Sequence, residues 1–211
     1  NFYLTYFNND IQYGSKYILK RVMDISFSLV FLTIFSPIYL IIFLYIFLLD
    51  KSPVVIKQNR VGLHGKQFKM YKFRTMYANT PELPSHHTFD SQVTNIGRLL
   101  RLIKIDELPQ IINILRGEMT LIGPRPCLEN QNELILERNN RGIYDILPGI
   151  SGLAQINNID MSNPLELAKT DERYLHLRGV ILDITLMIKT IIGTTFNYRY
   201  IATQKLLKKT K

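Results

Sequence analysis

"ISFSLVFLTIFSPIYLIIFLYIFLL", from Ile25 to Leu49, contains no charged residue. As a straight α-helix rising about 1.5 Å per residue it would reach roughly 37 Å, more than the ~30 Å hydrocarbon core of a bilayer. It is too long for an ordinary signal peptide, and no small-residue cleavage site follows it. One reading is a single transmembrane helix. Two features point to another. Pro37 removes a helical hydrogen bond and crowds the preceding turn, so a break is expected at Ser36-Pro37. Each half would then reach roughly 18 Å, too short to cross alone. Lys16, Lys20 and Arg21 precede the segment, and Lys51, Lys57 and Arg60 follow it, so the positive-inside rule assigns neither end to the outside. A re-entrant helix-break-helix hairpin keeps both basic flanks on one face. Its freed backbone groups then need partners, and the Ser36 hydroxyl is close at hand.

The remainder is long enough for one domain with a core. Of the 211 residues, 26 are Lys or Arg against 17 Asp or Glu, a net charge of +9 that calls for an anionic partner. The single cysteine, Cys127, excludes an intramolecular disulfide. Ser52 to Met76 reads as two short strands around a Gly62–Gly65 turn. Residues 80–92 read as a loop. Ile96, Leu99, Leu100 and Ile103 form a helical stripe, with Arg98 and Arg101 off it. A second helix starts near Pro109, carries Ile111, Ile112 and Leu115 inward, and stops at Gly117. Residues 163–178 are helical, capped by Asn163 with Pro164 in the first turn. Residues 180–192 form a further helix, apolar over most of its circumference, too short to span and so core or interfacial. The tail "KLLKKTK" is basic.

"KIDELPQIINILRGEMTLIGPRP", Lys104 to Pro126, places Asp106 and Glu107 just ahead of a helix start. Free N–H groups there favour ionised carboxylates and phosphate. Arg101 and Arg125 stand near enough in sequence to add charge-assisted contacts. Such a carboxylate could attack phosphorus or hold a phosphate-bridging divalent metal. On residue chemistry alone, an N-cap aspartate beside a surface glutamate is the stronger reading of the pair, since an Asp-Glu dipeptide is common.

The set "SPVVIKQNRVGLHGKQFKMYKFRTM", "IGRLLRLIKIDELPQIINILRGEMTLIGPRP" and "LPGISGLAQI" resembles the bacterial sugar transferases, monotopic phosphoglycosyl transferases that begin lipid-linked glycan assembly. The likeness runs from about Lys20 to Lys189, in order and with matching spacing, and Ser36-Pro37 matches the break in the family's membrane hairpin. It implies an α/β fold, mainly helical with a small sheet and with interfacial amphipathic helices. The implied layout is an N-terminal segment (residues 1–15), a re-entrant hairpin (16–50) and a cytosolic catalytic domain (51–211) on the cytoplasmic face of the bacterial inner membrane.

The likeness also implies a reaction. An aspartate attacks a UDP-sugar, releases UMP and passes the phosphosugar to polyprenyl (undecaprenyl) phosphate, with Mg2+ as the usual metal. Asp106 maps to the nucleophile and Glu107 to its partner, together the expected metal ligands. Lys72, Arg74, Arg101, Arg125 with its flanking Pro124 and Pro126, Gly149, Gly152 and Asp171 map to phosphate and nucleotide binding. Lys20 and Arg21 are expected on anionic lipid headgroups at about 1 kcal/mol each. Thr75 stands where the family has serine, Cys127 where leucine is usual and Ala154 where many members carry Trp. Residues 157–175 depart most, which puts the sugar in doubt rather than the reaction. The competing class is a catalytically inactive, membrane-anchored binding or assembly module of the same fold. No nucleic-acid motif is present, and the sequence allows a homo-oligomer.

Overall fold

Helix α1, Phe2–Asp50, continues through Pro37 and across the expected boundary at residues 15 and 16. The computed structural model describes residues 2–50, 53–77 and 92–193, with the side chains of α1 described over residues 17–48. Most of the loop read over residues 80–92, and the basic tail, lie outside them. The break expected at Ser36-Pro37 is therefore not a loss of helical structure. Pro37 has no N–H for the Thr33 carbonyl, but the Ser36 hydroxyl donates to that carbonyl at 2.9 Å. One turn earlier, the Thr33 hydroxyl donates to Leu29 O at 2.9 Å. These bonds satisfy groups that an apolar exterior would leave unpaired.

The apolar stretch keeps its greasy surface outward. Residues 29–34 are exposed on every side, while the turns before and after rest on the domain. Before the stretch, Asp24 accepts from the Thr120 hydroxyl (2.7 Å) and from Leu121 N (3.1 Å). After it, Ile42 and Ile46 are buried with Val54, Phe73 and Leu100. A helix long and apolar enough to cross a membrane runs over Tyr17–Leu48.

Strands β1, Val55–Val61, and β2, Gln67–Phe73, form the expected hairpin, antiparallel from Val55 opposite Phe73 to Val61 opposite Gln67. Its turn places His64 and Gly65 in the left-handed region. An isolated hairpin is marginal in water, and Asn113 fastens this one. The Asn113 amide accepts from Tyr71 N (3.0 Å) and donates to Lys69 O (2.8 Å). Helix α2, Asn95–Leu102, is capped by Thr94, whose hydroxyl accepts from Gly97 N at 3.0 Å. Left-handed Lys104 then opens a 3-10 turn, Ile105–Gln110, which runs into α3, Ile111–Arg116, and ends at left-handed Gly117. Leu100 and Ile111 are buried as expected, and Ile114 with them, whereas Leu99 and Ile112 are exposed.

Strand β3, Thr120–Ile122, runs parallel to β4, Gly149–Ser151, where sequence suggests only a turn. Helix α4 is Asn132–Asn140, α5 is Leu153–Ile156 and α6 is Pro164–Leu177, capped by Asn163 as expected. The final described helix, α7, covers residues 180–193. It buries Leu186 and Asp183 and exposes Ile181, Ile184, Ile188 and Ile191 along one face, so it is core on one side and apolar surface on the other. The fold is mainly helical with two small sheets, as expected.

Lys20 and Arg21, expected on headgroups, find partners inside the protein. Lys20 Nζ lies 2.5 Å from Asp183 Oδ2 and donates to Ile122 O at 3.0 Å. Arg21 donates to Ile114 O and Leu115 O, carbonyls near the end of α3. The Tyr174 hydroxyl, 2.7 Å from Asp183 Oδ1, completes the Lys20 cluster. Both cations fix α1 to the rest of the fold, where buried acceptors need donors. Lys20→Met should therefore cost about 3 kcal/mol by leaving Asp183 buried without its cation. Thermal unfolding in detergent micelles, followed by circular dichroism, checks this; a wild-type melting curve would refute it.

Candidate active site

The hairpin, the 3-10 turn and the loop after β3 meet at Glu107. Lys72, on β2, reaches Glu107 Oε1 at 3.3 Å. Arg125 reaches the same oxygen with Nη2 at 2.5 Å. Burial alone would raise the Glu107 carboxyl, but Arg125 and Lys72 outweigh it and hold it well below the usual carboxylate range. Burial pulls the Lys72 amine down while Glu107 opposes this; Glu107 pushes the Arg125 guanidinium up. Glu107 is thus an ionised clamp between two cations.

Asp106 is the opposite case. Its carboxylate takes no hydrogen bond among the described residues, and it is buried with 8% of its surface exposed. Burial, then the adjacent Glu107 charge, raise it from 3.8 to about 6, against the pull of Lys72, Arg101 and Arg125. Sequence suggested a carboxylate kept acidic by a helix start. The 3-10 turn encloses it instead, and desolvation dominates.

Arg101 is held at the edge of this group by its Nε, which donates to Thr75 Oγ1 at 2.9 Å. Thr75 is fixed in turn, because its carbonyl accepts from Thr94 N at 3.0 Å. Gly97 permits that approach: a Cβ there would stand 2.0 Å from Thr75 O. The residue noted only for replacing a serine is therefore the support of Arg101. Arg74 follows Phe73 and donates from its backbone N to Val54 O; its side chain makes no hydrogen bond or ion pair among the described residues.

Four successive carbonyls of the Pro124–Cys127 loop are occupied. Gly149 N donates to Pro124 O (2.9 Å), Arg138 Nη1 to Arg125 O (2.8 Å), Arg60 Nη1 to Pro126 O (3.2 Å) and Val61 N to Cys127 O (3.0 Å). Pro124 and Pro126 shape this loop. Gly149 and Gly152 let β4 approach it, since a Cβ on either would lie 2.1–2.2 Å from a Gly123 backbone atom. Asp171 is not with the cations around Asp106. It is buried on α6 and accepts from Arg138 Nε (3.0 Å) and Nη2 (2.7 Å). Its part is indirect: it anchors the arginine that holds the Arg125 carbonyl. Arg138, Arg60 and Thr75 escaped the sequence reading because nothing local marks a buried arginine or a supporting threonine.

Among the described residues no group of three or more His, Cys, Asp or Glu gathers as a metal cage. Asp106 and Glu107 still fit a magnesium ion, which takes one or two carboxylates and completes its shell with water and substrate phosphates. Both cations use Glu107 Oε1, and Asp106 is uncommitted.

Paired cations on one carboxylate, beside a second carboxylate left open, suit a phosphate-transfer enzyme, here carried on an apolar helix. The chain belongs to the bacterial sugar transferase family, whose model matches residues 15–197, and it is a transferase. It is 37% identical over 174 residues to the uncharacterized sugar transferase EpsL of Bacillus subtilis, covering 82% of this chain and 86% of that one. It is 34% identical to the UDP-N-acetylgalactosamine-undecaprenyl-phosphate N-acetylgalactosaminephosphotransferase of Aeromonas hydrophila, over 82% of this chain but 43% of that protein. It is 33% identical to the UDP-glucose:undecaprenyl-phosphate glucose-1-phosphate transferase of Caulobacter vibrioides, over 82% of this chain and 68% of that one. The chain thus spans less than half of the Aeromonas relative.

The two carboxylates should respond oppositely to neutralisation. The folded protein holds the Asp106 proton more tightly than the unfolded chain does. That contribution to stability is complete below the unfolded value of 3.8 and is lost as pH rises through about 6. At pH 7.5, without divalent metal, Asp106→Asn should therefore raise stability by about 2 kcal/mol, the gain shrinking toward pH 4. Glu107→Gln strands Lys72 and Arg125 and should lower stability by about 3 kcal/mol. Melting temperatures of the two variants across pH 4–8 check both signs.

Proposed function

We propose that this chain is a phosphoglycosyl transferase that moves a sugar-1-phosphate from a UDP-sugar to polyprenyl (undecaprenyl) phosphate and releases UMP, initiating lipid-linked glycan assembly. The observation that carries this reading is the division of labour in the acidic pair: Glu107 is clamped by Arg125 and Lys72, while Asp106 is free to react. The printed names of the Aeromonas and Caulobacter relatives support the substrate classes.

The reaction runs in two steps. An Asp106 carboxylate oxygen attacks the sugar-bearing phosphorus; the bond from that phosphorus to the bridging oxygen breaks, and UMP leaves with the electron pair. The phosphate of the lipid acceptor then attacks the same phosphorus and releases Asp106. Lys72 and Arg125 stand where charge on the transferring phosphoryl group develops, preorganised by Glu107. Arg101, steadied by Thr75, adds positive potential at Asp106. A raised Asp106 pKa makes its ionised oxygen a stronger nucleophile for the first step. Magnesium, held by Asp106 and Glu107, would neutralise phosphate charge when bound.

Where α1 touches the domain supports a re-entrant arrangement. Residues 20–24 and residues 39–46 both rest on it, which favours both ends lying on its side of a membrane. The stretch between them, residues 25–38, reaches roughly 20 Å as a helix, less than the ~30 Å core. This supports a helix dipping into one leaflet, with the catalytic domain on the cytoplasmic face and the exposed isoleucines of α7 at the lipid surface.

Incubating the wild type with a panel of UDP-hexoses and UDP-N-acetylhexosamines, without lipid acceptor, should release UMP and leave a phosphosugar on the peptide containing Asp106. EDTA should suppress both and Mg2+ restore them. An adduct on Glu107 would reverse the assignment, and UMP release only with polyprenyl phosphate would favour direct transfer in a ternary complex. For the anchor, Tyr17→Cys and Lys57→Cys should both react with an impermeant maleimide only from the cytoplasmic side. Native Cys127 is buried and does not compete. Labelling of residue 17 from outside would establish a spanning helix.

A further inference from the structure

Past Pro37, α1 divides cleanly. Leu40, Ile41, Phe43, Leu44, Tyr45, Phe47 and Leu48 are exposed. Ile38, Tyr39, Ile42 and Ile46 form the opposite stripe and pack on the domain. Their partners there include Phe73, Leu100, Ile105 and Leu108. Each is a sequence neighbour of an active-site residue: Phe73 follows Lys72, Leu100 precedes Arg101, and Ile105 and Leu108 bracket Asp106 and Glu107. The second half of α1 is therefore the floor on which three separate strands of the site are levelled.

One polar bond crosses this apolar layer. The Tyr39 hydroxyl donates to Leu108 O at 2.8 Å, and the Tyr39 ring packs obliquely on Phe73 with centroids 5.7 Å apart. Leu108 O already accepts from Ile111 N inside the 3-10 turn. A 3-10 turn has weaker hydrogen-bond geometry than an α-helix, and this one is entered through left-handed Lys104, so an outside donor matters more here than in a regular helix.

We propose that Tyr39 is a positioning residue for the transferase: from the membrane helix, its hydroxyl pins the turn that presents Asp106 and Glu107, while its ring backs the strand that presents Lys72. This rests on the transferase reading above. The anchor is then part of the catalytic architecture, and the site is fully formed only with α1 seated. The hydroxyl acts on the first step, before any lipid acceptor enters, so its loss slows turnover without weakening capture of the nucleotide sugar.

Tyr39→Phe keeps the ring on Phe73 and deletes only the donor to Leu108. In full-length protein in nanodiscs, kcat for UMP release should fall about tenfold, the rate equivalent of one lost hydrogen bond, with KM for the UDP-sugar within about twofold. Hydrogen–deuterium exchange of the peptide spanning residues 105–111 should accelerate. Tyr45→Phe makes the same chemical change on the exposed side of the helix and should leave both readouts as in wild type. An unchanged kcat in Tyr39→Phe overturns the proposal, as does an equal loss in Tyr45→Phe. Unchanged exchange over residues 105–111 overturns it without reference to turnover. A wild type that releases no UMP from any UDP-sugar defeats the transferase reading instead, and exchange in the two variants still decides whether Tyr39 holds the turn.

Discussion

Glu107 is drawn to two cations that reach it from different parts of the chain, Lys72 at 3.3 Å and Arg125 at 2.5 Å. A buried charge with one partner missing is costly, whereas a fully paired one is tolerated. Around this oxygen the remaining structure acts as support. The β1–β2 hairpin brings Lys72, the 3-10 turn brings Glu107 itself, and the loop after β3 brings Arg125. The buried Arg138–Asp171 pair holds the Arg125 carbonyl from behind, which links α4 and α6 to the same point. An ion pair that is expensive to bury thus fixes the geometry of the Glu107–Arg125 pair.

Adjacent carboxylates with opposite electrostatics follow from one asymmetry. Glu107 faces both cations; Asp106 is enclosed without a hydrogen bond, beside a permanent negative charge. The net charge of +9 is correspondingly misleading as a surface property. Lys20 is engaged with Asp183, Arg21 with the end of α3, and Arg60 and Arg138 with buried carbonyls of the Pro124–Cys127 loop. Much of the cationic excess organises the interior.

Where local rules decide the conformation, the sequence was readable. The hairpin turn, the Asn163 cap, the Gly117 stop and the apolar stretch all follow from residue type and spacing, and the Ser36 hydroxyl serves the backbone group that proline frees. The acidic pair became legible through the blocks around it rather than through its own chemistry. What stayed hidden depends on distant partners. Three-residue strands such as β3 and β4 have too few side chains to show a period. Lys20 and Arg21 look like membrane-flanking cations until Asp183 and the end of α3 come beside them. Asp171 looks like a ligand because an acidic residue on a helix gives no sign of which arginine will bury it. On α3 the sequence places Ile111 inward correctly, but Ile112 turns out to solvent and Ile114 in, because four apolar residues in six leave the choice of face to tertiary packing.

The anchoring of α1 also constrains the order in which this molecule is made. Lys20 bonds to Ile122, 102 residues away, and to Asp183, 163 residues away. Contacts of such long sequence separation form late. The apolar segment leaves the ribosome well before Ile122 and Asp183, the partners that fasten its beginning. Until they emerge it lacks that protein surface to rest on, and an unshielded apolar helix is prone to aggregate. Early shielding of this helix, of the kind a bilayer provides, is therefore a folding requirement until the domain can close onto it.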